Sequence, residues 1–255
     1  MKPLYTFAQI SDSHLYASKD HKHHGANVYQ NLLAVLSDIK NNPEIDAIVF
    51  TGDLTHDHTS ASYDLFVEAT EQARISVPVY YLAGNHDEPA LLASAFACAP
   101  FVAEKLIELP NWQLVLVDSK SDTPAGRVSP ETLLWLADAV DKSKSQLVMM
   151  HHHGIDVGYF IDRHGLENKE QFWQVIKDQP SIKAVACGHV HRALTLLPEE
   201  TGRSTPLFTC PATSIQFDPR ADTVASTGEA GGYRVFQLLA EGKINTHVRY
   251  TELIR

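Results

Sequence analysis

The chain has 255 residues, 44% hydrophobic and 20% charged, a balance that excludes a disordered polymer and suits a folded protein with a substantial core. Its formal net charge is −10 with histidine neutral, which argues against a nucleic-acid or anionic-membrane binder, since either would show a basic patch. An anionic substrate stays possible, because bound cations reverse the local field.

Short apolar runs bounded by polar, Gly or Pro residues predict strands at 5–11, 46–51, 77–83, 112–118, 146–151 and 182–188. Between the first two, "ANVYQNLLAVLSDIK" (26–40) places Val28, Leu32, Val35, Leu36 and Ile39 on one helical face. The polar, His-rich segment before it, 17–27, reads as a solvated loop. "SPETLLWLADAV" predicts a helix with Ser129 as N-cap and Pro130 at the first position. "NKEQFWQVIK" predicts another, with Asn168 and Gln171 in a capping-box arrangement. After residue 190 the helical period fades, and "PLFTCPATSIQF", "GYRVFQLL" and "INTHVRY" read as strands in antiparallel order. Segment 218–232 reads as a flexible loop or lid. With no repeat and no linker, one domain spanning 1–255 is expected, alternating β and α first and β-rich later. Cys98, Cys187 and Cys210 are scattered and form no C-x-x-C pair, as in buried, reduced thiols. The N-terminal stretch does not read as a signal peptide, and no apolar run approaches the ~20 residues of a membrane span. A cytoplasmic location is expected.

The predicted strands share one feature: each of five ends in metal-ligand residue types. These are Asp12-Ser13-His14, Gly52-Asp53, Gly84-Asn85-His86-Asp87, His151 within "HHH", and Gly188-His189-Val190-His191. Residues two apart in an extended chain point the same way, so Asp12 with His14, and His189 with His191, can each address one site. Glycines permit sharp turns or close approach to an ion. In open α/β sheets, ligands gather outside the carboxyl ends of the strands. Each fragment alone has an ordinary explanation, but the ordered set D-x-H, G-D, G-N-H-D, H, G-H-x-H does not.

This ordered set resembles that of the calcineurin-like metallophosphoesterases, and the resemblance covers nearly the whole chain. It implies a four-layer α/β/β/α sandwich with two mixed β-sheets and a dinuclear metal centre at their edge. By motif, Asp12, His14 and His191 would hold one ion and Asn85, His151 and His189 the other, with Asp53 bridging. A one-residue register slip would make His152 the ligand, while His153 reads as a loop or supporting residue. His86 would stabilise the transition state and protonate the leaving oxygen; its alternative is a structural histidine bonded to Asp87, which could also orient the ring. His14, Asn85, His86 and His191 would face the substrate. The mixed oxygen and imidazole set suits Mn, Fe, Zn or Co better than Ca or Mg. Two such ions clamp an in-line displacement and turn a shared water into hydroxide near neutral pH.

Within the superfamily, "QISDSHLYA", "TGDLTHDHTSASYDLF", "LAGNHD", "MMHHHG", "CGHVHRAL" and "CPATSIQF" are similar to the bacterial class III cyclic-AMP phosphodiesterases. That similarity implies 3′,5′-cyclic AMP as a small-molecule substrate and 5′-AMP as product. The alternatives are a glycerophosphodiesterase or other small-diester enzyme of the same fold, and a non-catalytic metal-binding scaffold. Tyr159, Phe160, His164 and Phe217 are candidates for an adenine pocket or, equally, ordinary packing residues. Oligomeric state and metal identity stay open at this level.

Overall fold

The computed structural model describes residues 2–197 and 205–252. In chain order these form β1 (Tyr5–Ile10), β2 (Lys22–His23), β3 (Ala26–Asn27), α1 (Val28–Lys40), β4 (Ala47–Phe50), α2 (Ser60–Gln72), β5 (Val79–Tyr81) and α3 (Pro89–Ala95). There follow β6 (Phe101–Val102), β7 (Leu106–Glu108), β8 (Trp112–Leu116), α4 (Pro130–Ala139), β9 (Ser145–Met150), α5 (Lys169–Asp178) and β10 (Ile182–Cys187). The chain closes with β11 (Thr195–Leu196), β12 (Leu207–Thr209), β13 (Gly232–Leu238) and β14 (Ile244–Tyr250).

Two six-stranded mixed sheets result, ordered β14-β13-β1-β4-β5-β6 and β11-β12-β10-β9-β8-β7. Alternation along the strands makes the layers. Phe7, Val49, Leu114, Leu147, Met149, Ala186 and Phe236 face inward and form one core between the sheets. Their neighbours Ala8, Ile48 and Phe50 face outward against Leu32, Leu36, Phe66 and Leu92 of α1, α2 and α3. Val115, Val148, Met150 and Val185 face outward on the other sheet against Leu136, Phe172 and Ile176 of α4 and α5. Strands buried on both faces need helices outside them, and the expected α/β/β/α sandwich is the outcome.

Start signals act as residue chemistry requires. Asn27 Oδ1 caps α1 by accepting from the Gln30 N–H (3.0 Å), and Ser129 Oγ caps α4 by accepting from Thr132 (3.1 Å). Asn168 does not cap α5: its amide exchanges two hydrogen bonds with the Val128 backbone and donates to Gln171 Oε1. Helices α2 and α3 lie where no helical period is read. In α2 the buried face includes Ser62, Ala69 and Thr70, so the apolar stripe is diluted.

Three other expectations need correcting. Only Leu207–Thr209 of "PLFTCPATSIQF" is strand, and it pairs antiparallel with β11 on one side but parallel with β10 on the other. Residues after Pro211 instead cross the carboxyl ends of the sheets, where Thr213 and Ser214 donate N–H bonds to the Ser11 and Asp12 carbonyls. The 17–27 segment contains the β2–β3 hairpin rather than a plain solvated loop, and half-buried His23 lines a cavity. The 218–232 segment ends inside β13, and its first half doubles back through Asp218–Ala225 and Gln216–Thr227 backbone bonds. Among the described residues no helix is long and apolar enough to cross a membrane.

Candidate metal centre

The turns that follow β1, β4, β5, β9 and β10 meet at one edge of the sandwich, and all seven predicted ligands lie there. Two groups of three converge on one carboxylate oxygen. In the first, His14 Nε2 is 3.1 Å from His191 Nε2, which is 3.3 Å from Asp12 Oδ1. In the second, His151 Nε2 is 3.1 Å from both Asn85 Oδ1 and His189 Nδ1. Asp53 Oδ2 lies 3.7 Å from His14 Nε2 and 3.4 Å from His151 Nε2, between the groups. Its other oxygen is already engaged, accepting the His86 N–H at 2.8 Å.

The ligand pairs do not aim together as extended strand residues would. Asp12, His14, Asp53, His189 and His191 all have positive φ, between 43° and 65°. Left-handed backbone costs an L-residue about 1–2 kcal/mol. Five such residues at one place mark a conformation held for function rather than for local stability. Glycine enables the crowding. A Cβ on Gly84 would collide with the Asp53 carboxylate, and one on Gly188 would collide with Ser11 Oγ.

Buried support fixes the rings. His151 Nδ1–H donates to the Thr51 carbonyl (2.7 Å) and His191 Nδ1–H to the Ile215 carbonyl (2.9 Å). Each bond leaves an Nε2 lone pair directed at the centre, as metal-ligating histidines require. Asp12 accepts the His189 N–H, at 3.0 Å on its nearer oxygen. Lys120 Nζ donates to the Asn85 carbonyl (3.0 Å) and so pins the loop that carries Asn85.

The electrostatics fit a cation. Burial, with like charge from His86, holds His14 well below the usual histidine range, and burial with His152 and His151 does the same for His189. Burial opposes the charge of His151, but the Asp53 and Asp12 carboxylates outweigh it and lift the ring up to about 9. Asp53 is held well below the carboxylate range: burial raises it, and His151 and its neighbours more than compensate. Donor-set atoms thus crowd a buried pit in which His189 Nε2 has no partner among the described residues. Two groups here, Asp12-His14-His191 and Asp12-Asp53-His151, have ligand atoms spaced for a shared ion. An oxygen and imidazole set of this kind matches divalent transition metals.

The triple histidine divides by role. His151 faces the centre. His152 lies within reach of His151 and His189, but Ser119 Oγ is 2.9 Å from its Nδ1 and the Pro124 carbonyl 3.3 Å from its Nε2, so both nitrogens are engaged. His153 Nε2 pairs with Asp162 Oδ1 (3.1 Å).

Asp87 does not bond to His86. Its carboxylate accepts N–H bonds from Asp53 (2.8 Å), Leu54 (2.9 Å), Thr55 (3.4 Å) and Gly84 (2.8 Å). Burial and the Asp53 charge push it up to about 7, against those amides, which favour the ionised form. Asp87 therefore ties the Asp53 turn to the Asn85 turn, a role that side-chain spacing alone does not reveal. Asp87→Ala leaves four buried amides without acceptors; with a cost of about 3 kcal/mol, Tm falls by roughly 6–12 °C in a thermal melt. Asp87→Asn, which keeps one acceptor oxygen, falls in between.

The centre opens into a cavity of about 430 Å³. His14, Asp53, Asn85, His86, His189 and His191 form its floor, and His23, His24 and His56 one wall. Phe160, Arg163, His164 and Phe217 line the other, with Thr223 and Val224 of the returning 218–231 loop. Tyr159 is absent from the lining; its hydroxyl donates to the Val190 carbonyl, so it packs beneath the site. Phe217 stacks on His191 at 3.8 Å between ring centroids.

Fold and donor set together define a metal-dependent phosphoesterase. The family model described as calcineurin-like phosphoesterase matches residues 5–193, and the chain belongs to this family. Among curated relatives, a "probable cyclic nucleotide phosphodiesterase" of Colwellia psychrerythraea is 57% identical over 95% of this chain and 94% of that protein. The "3′,5′-cyclic adenosine monophosphate phosphodiesterase CpdA" of Escherichia coli K12 is 34% identical over 94% of this chain and 87% of its own. A dimetal phosphatase structure from Danio rerio shares the fold, with a TM-score of 0.70 over 98% of this chain and 97% of its own at 14% identity.

Proposed function

We propose that this metal-dependent phosphodiesterase hydrolyses 3′,5′-cyclic AMP to 5′-AMP, as one domain in the cytoplasm. The reading rests on one observation above all: two three-residue donor groups meet at Asp53 Oδ2, on the floor of a cavity sized for a small molecule. Asp12, His14 and His191 would hold one divalent ion and Asn85, His151 and His189 a second, with Asp53 within reach of both groups. Mn, Fe, Zn and Co suit this set. When bound, the ions supply positive charge for the phosphoryl oxygens and a water acidic enough to attack at neutral pH.

The chain's own groups do the rest. His86 stands at right angles to His14, with ring centroids 4.9 Å apart, on the floor of the cavity. It donates a proton to the departing 3′ oxygen and steadies charge on the phosphoryl group. Its ring stacks against His58 (5.7 Å) and His56 (5.3 Å), which orient it, while Asp87 is engaged with backbone amides instead. Phe160 and His164 offer faces for the base, whereas Phe217 is committed mainly to bracing His191. Phe160→Ala raises KM for cyclic AMP about 5–10-fold, leaving bis-p-nitrophenyl phosphate turnover near wild type; steady-state kinetics check this.

A substrate panel with added Mn²⁺ tests the function: bis-p-nitrophenyl phosphate, cyclic AMP, cyclic GMP, glycerophosphodiesters and p-nitrophenyl phosphate. Cyclic AMP should be the best of these natural diesters. Turnover of a glycerophosphodiester with cyclic AMP inert would transfer the assignment to that substrate class.

A further inference from the structure

A second histidine cluster stands on the substrate side of the centre. His56 reaches in from the turn after β4, His86 from the turn after β5, and His14 presents its outer edge to both. Ring nitrogens of these three residues all lie within 4.8 Å of one another. His14 Nδ1 and His56 Nδ1 are 3.4 Å apart, long for a hydrogen bond between imidazoles. With metal–nitrogen bonds of about 2.0–2.1 Å, however, the edge of a tetrahedral site is about 3.3–3.4 Å.

The inner centre provides a comparison within the same molecule. His14–His191 and His151–His189, pairs assigned to shared ions, have ring centroids 5.0 Å apart. In the outer cluster the separations are 4.9 Å for His14–His86, 5.3 Å for His56–His86 and 5.5 Å for His14–His56. His86 Nδ1 is buried and has no hydrogen-bond partner among the described residues. His23 packs on His56 from outside at 4.4 Å, with its Nδ1 2.9 Å from Tyr16 Oη.

We propose that His14, His56 and His86 form a third cation site, which takes a borderline transition metal such as Zn²⁺ or Ni²⁺ through nitrogen alone. An all-imidazole set disfavours Mg²⁺, Ca²⁺ and Mn²⁺, and so separates this site from the mixed donors of the inner centre. Three nitrogens leave a fourth position for water or a phosphate oxygen. His14 then serves two cations, one through each nitrogen, and its Nδ1 proton passes to solvent as the outer ion binds. One consequence rests on the role given to His86 above: an ion there takes the proton donor, so zinc activates at low loading and inhibits in excess.

The test counts metal. Wild type, His56→Ala and His56→Gln are dialysed against excess Zn²⁺, freed of loose ions by gel filtration and analysed by mass spectrometry. Wild type should keep about three zinc ions per chain and both His56 variants about two. Wild-type hydrolysis of cyclic AMP, whose leaving oxygen needs the His86 proton, should fall at least ~10-fold between two and three equivalents, whereas each His56 variant, read against its own rate at two equivalents, should show no such fall. About two ions in wild type, or three in the variants, would overturn the proposal. Failure of the inner-centre reading looks different: a single wild-type zinc that disappears with His56 would leave the outer site standing alone.

Discussion

Asp53→Ala is expected to lower diester hydrolysis by at least ~10³–10⁴-fold and, in protein loaded with Mn²⁺, to reduce retained metal well below the two inner-centre ions expected of wild type. Oδ2 of this carboxylate is the atom that approaches both donor groups, at 3.7 Å from His14 Nε2 and 3.4 Å from His151 Nε2. Its Oδ1 meanwhile holds the His86 amide, so one truncation loosens both metal groups and the proton donor's backbone. Asp53→Asn separates these effects. It keeps the packing and one acceptor oxygen but removes the charge, so metal loss without a large fall in Tm identifies the charge as the cause. Metal analysis beside a thermal melt gives both readouts.

His86→Ala should differ in kind. No ligand of the inner centre is lost, so in protein loaded with Mn²⁺ the metal content stays at the wild-type value while kcat falls about 10²–10⁴-fold. The loss should depend on the leaving group. p-Nitrophenolate departs without help, whereas a ribose 3′ alkoxide needs a proton, so cyclic AMP turnover should suffer far more than bis-p-nitrophenyl phosphate turnover. Equal losses on both substrates would remove the proton-donor role and leave His86 with electrostatic stabilisation alone.

The candidate ligands are legible in the sequence because each sits at the end of a strand whose apolar character is unmistakable. Strands such as Ala47–Phe50 and Ser145–Met150 are buried on both faces, so their ends stand out as polar residues with no packing role. How those residues aim inward was not legible. Asp12 and His14 lie together, but not as alternate residues of an extended strand: both are left-handed, with φ of 57° and 43°. Nothing in the residue types declares that strain.

Polar segments are less legible than apolar ones. A histidine facing a polar cavity and a histidine facing solvent obey the same hydropathy pattern, so the wall role of His23 could not be told from exposure. Asp87 shows the same limit: its partners are backbone amides of the Gly84 and 53–55 turns, which carry no side-chain signature. His152 likewise differs from His151 only through contacts to Ser119 and Pro124, more than 25 residues away in sequence.

A crystal soaked in Mn²⁺ and measured for anomalous scattering tests the central claim most directly. Two peaks flanking Asp53 Oδ2, about 3.5–4 Å apart, one beside His191 and one beside His189, are the predicted result. A map with no paired density between those side chains, in protein that still hydrolyses cyclic AMP, would contradict it.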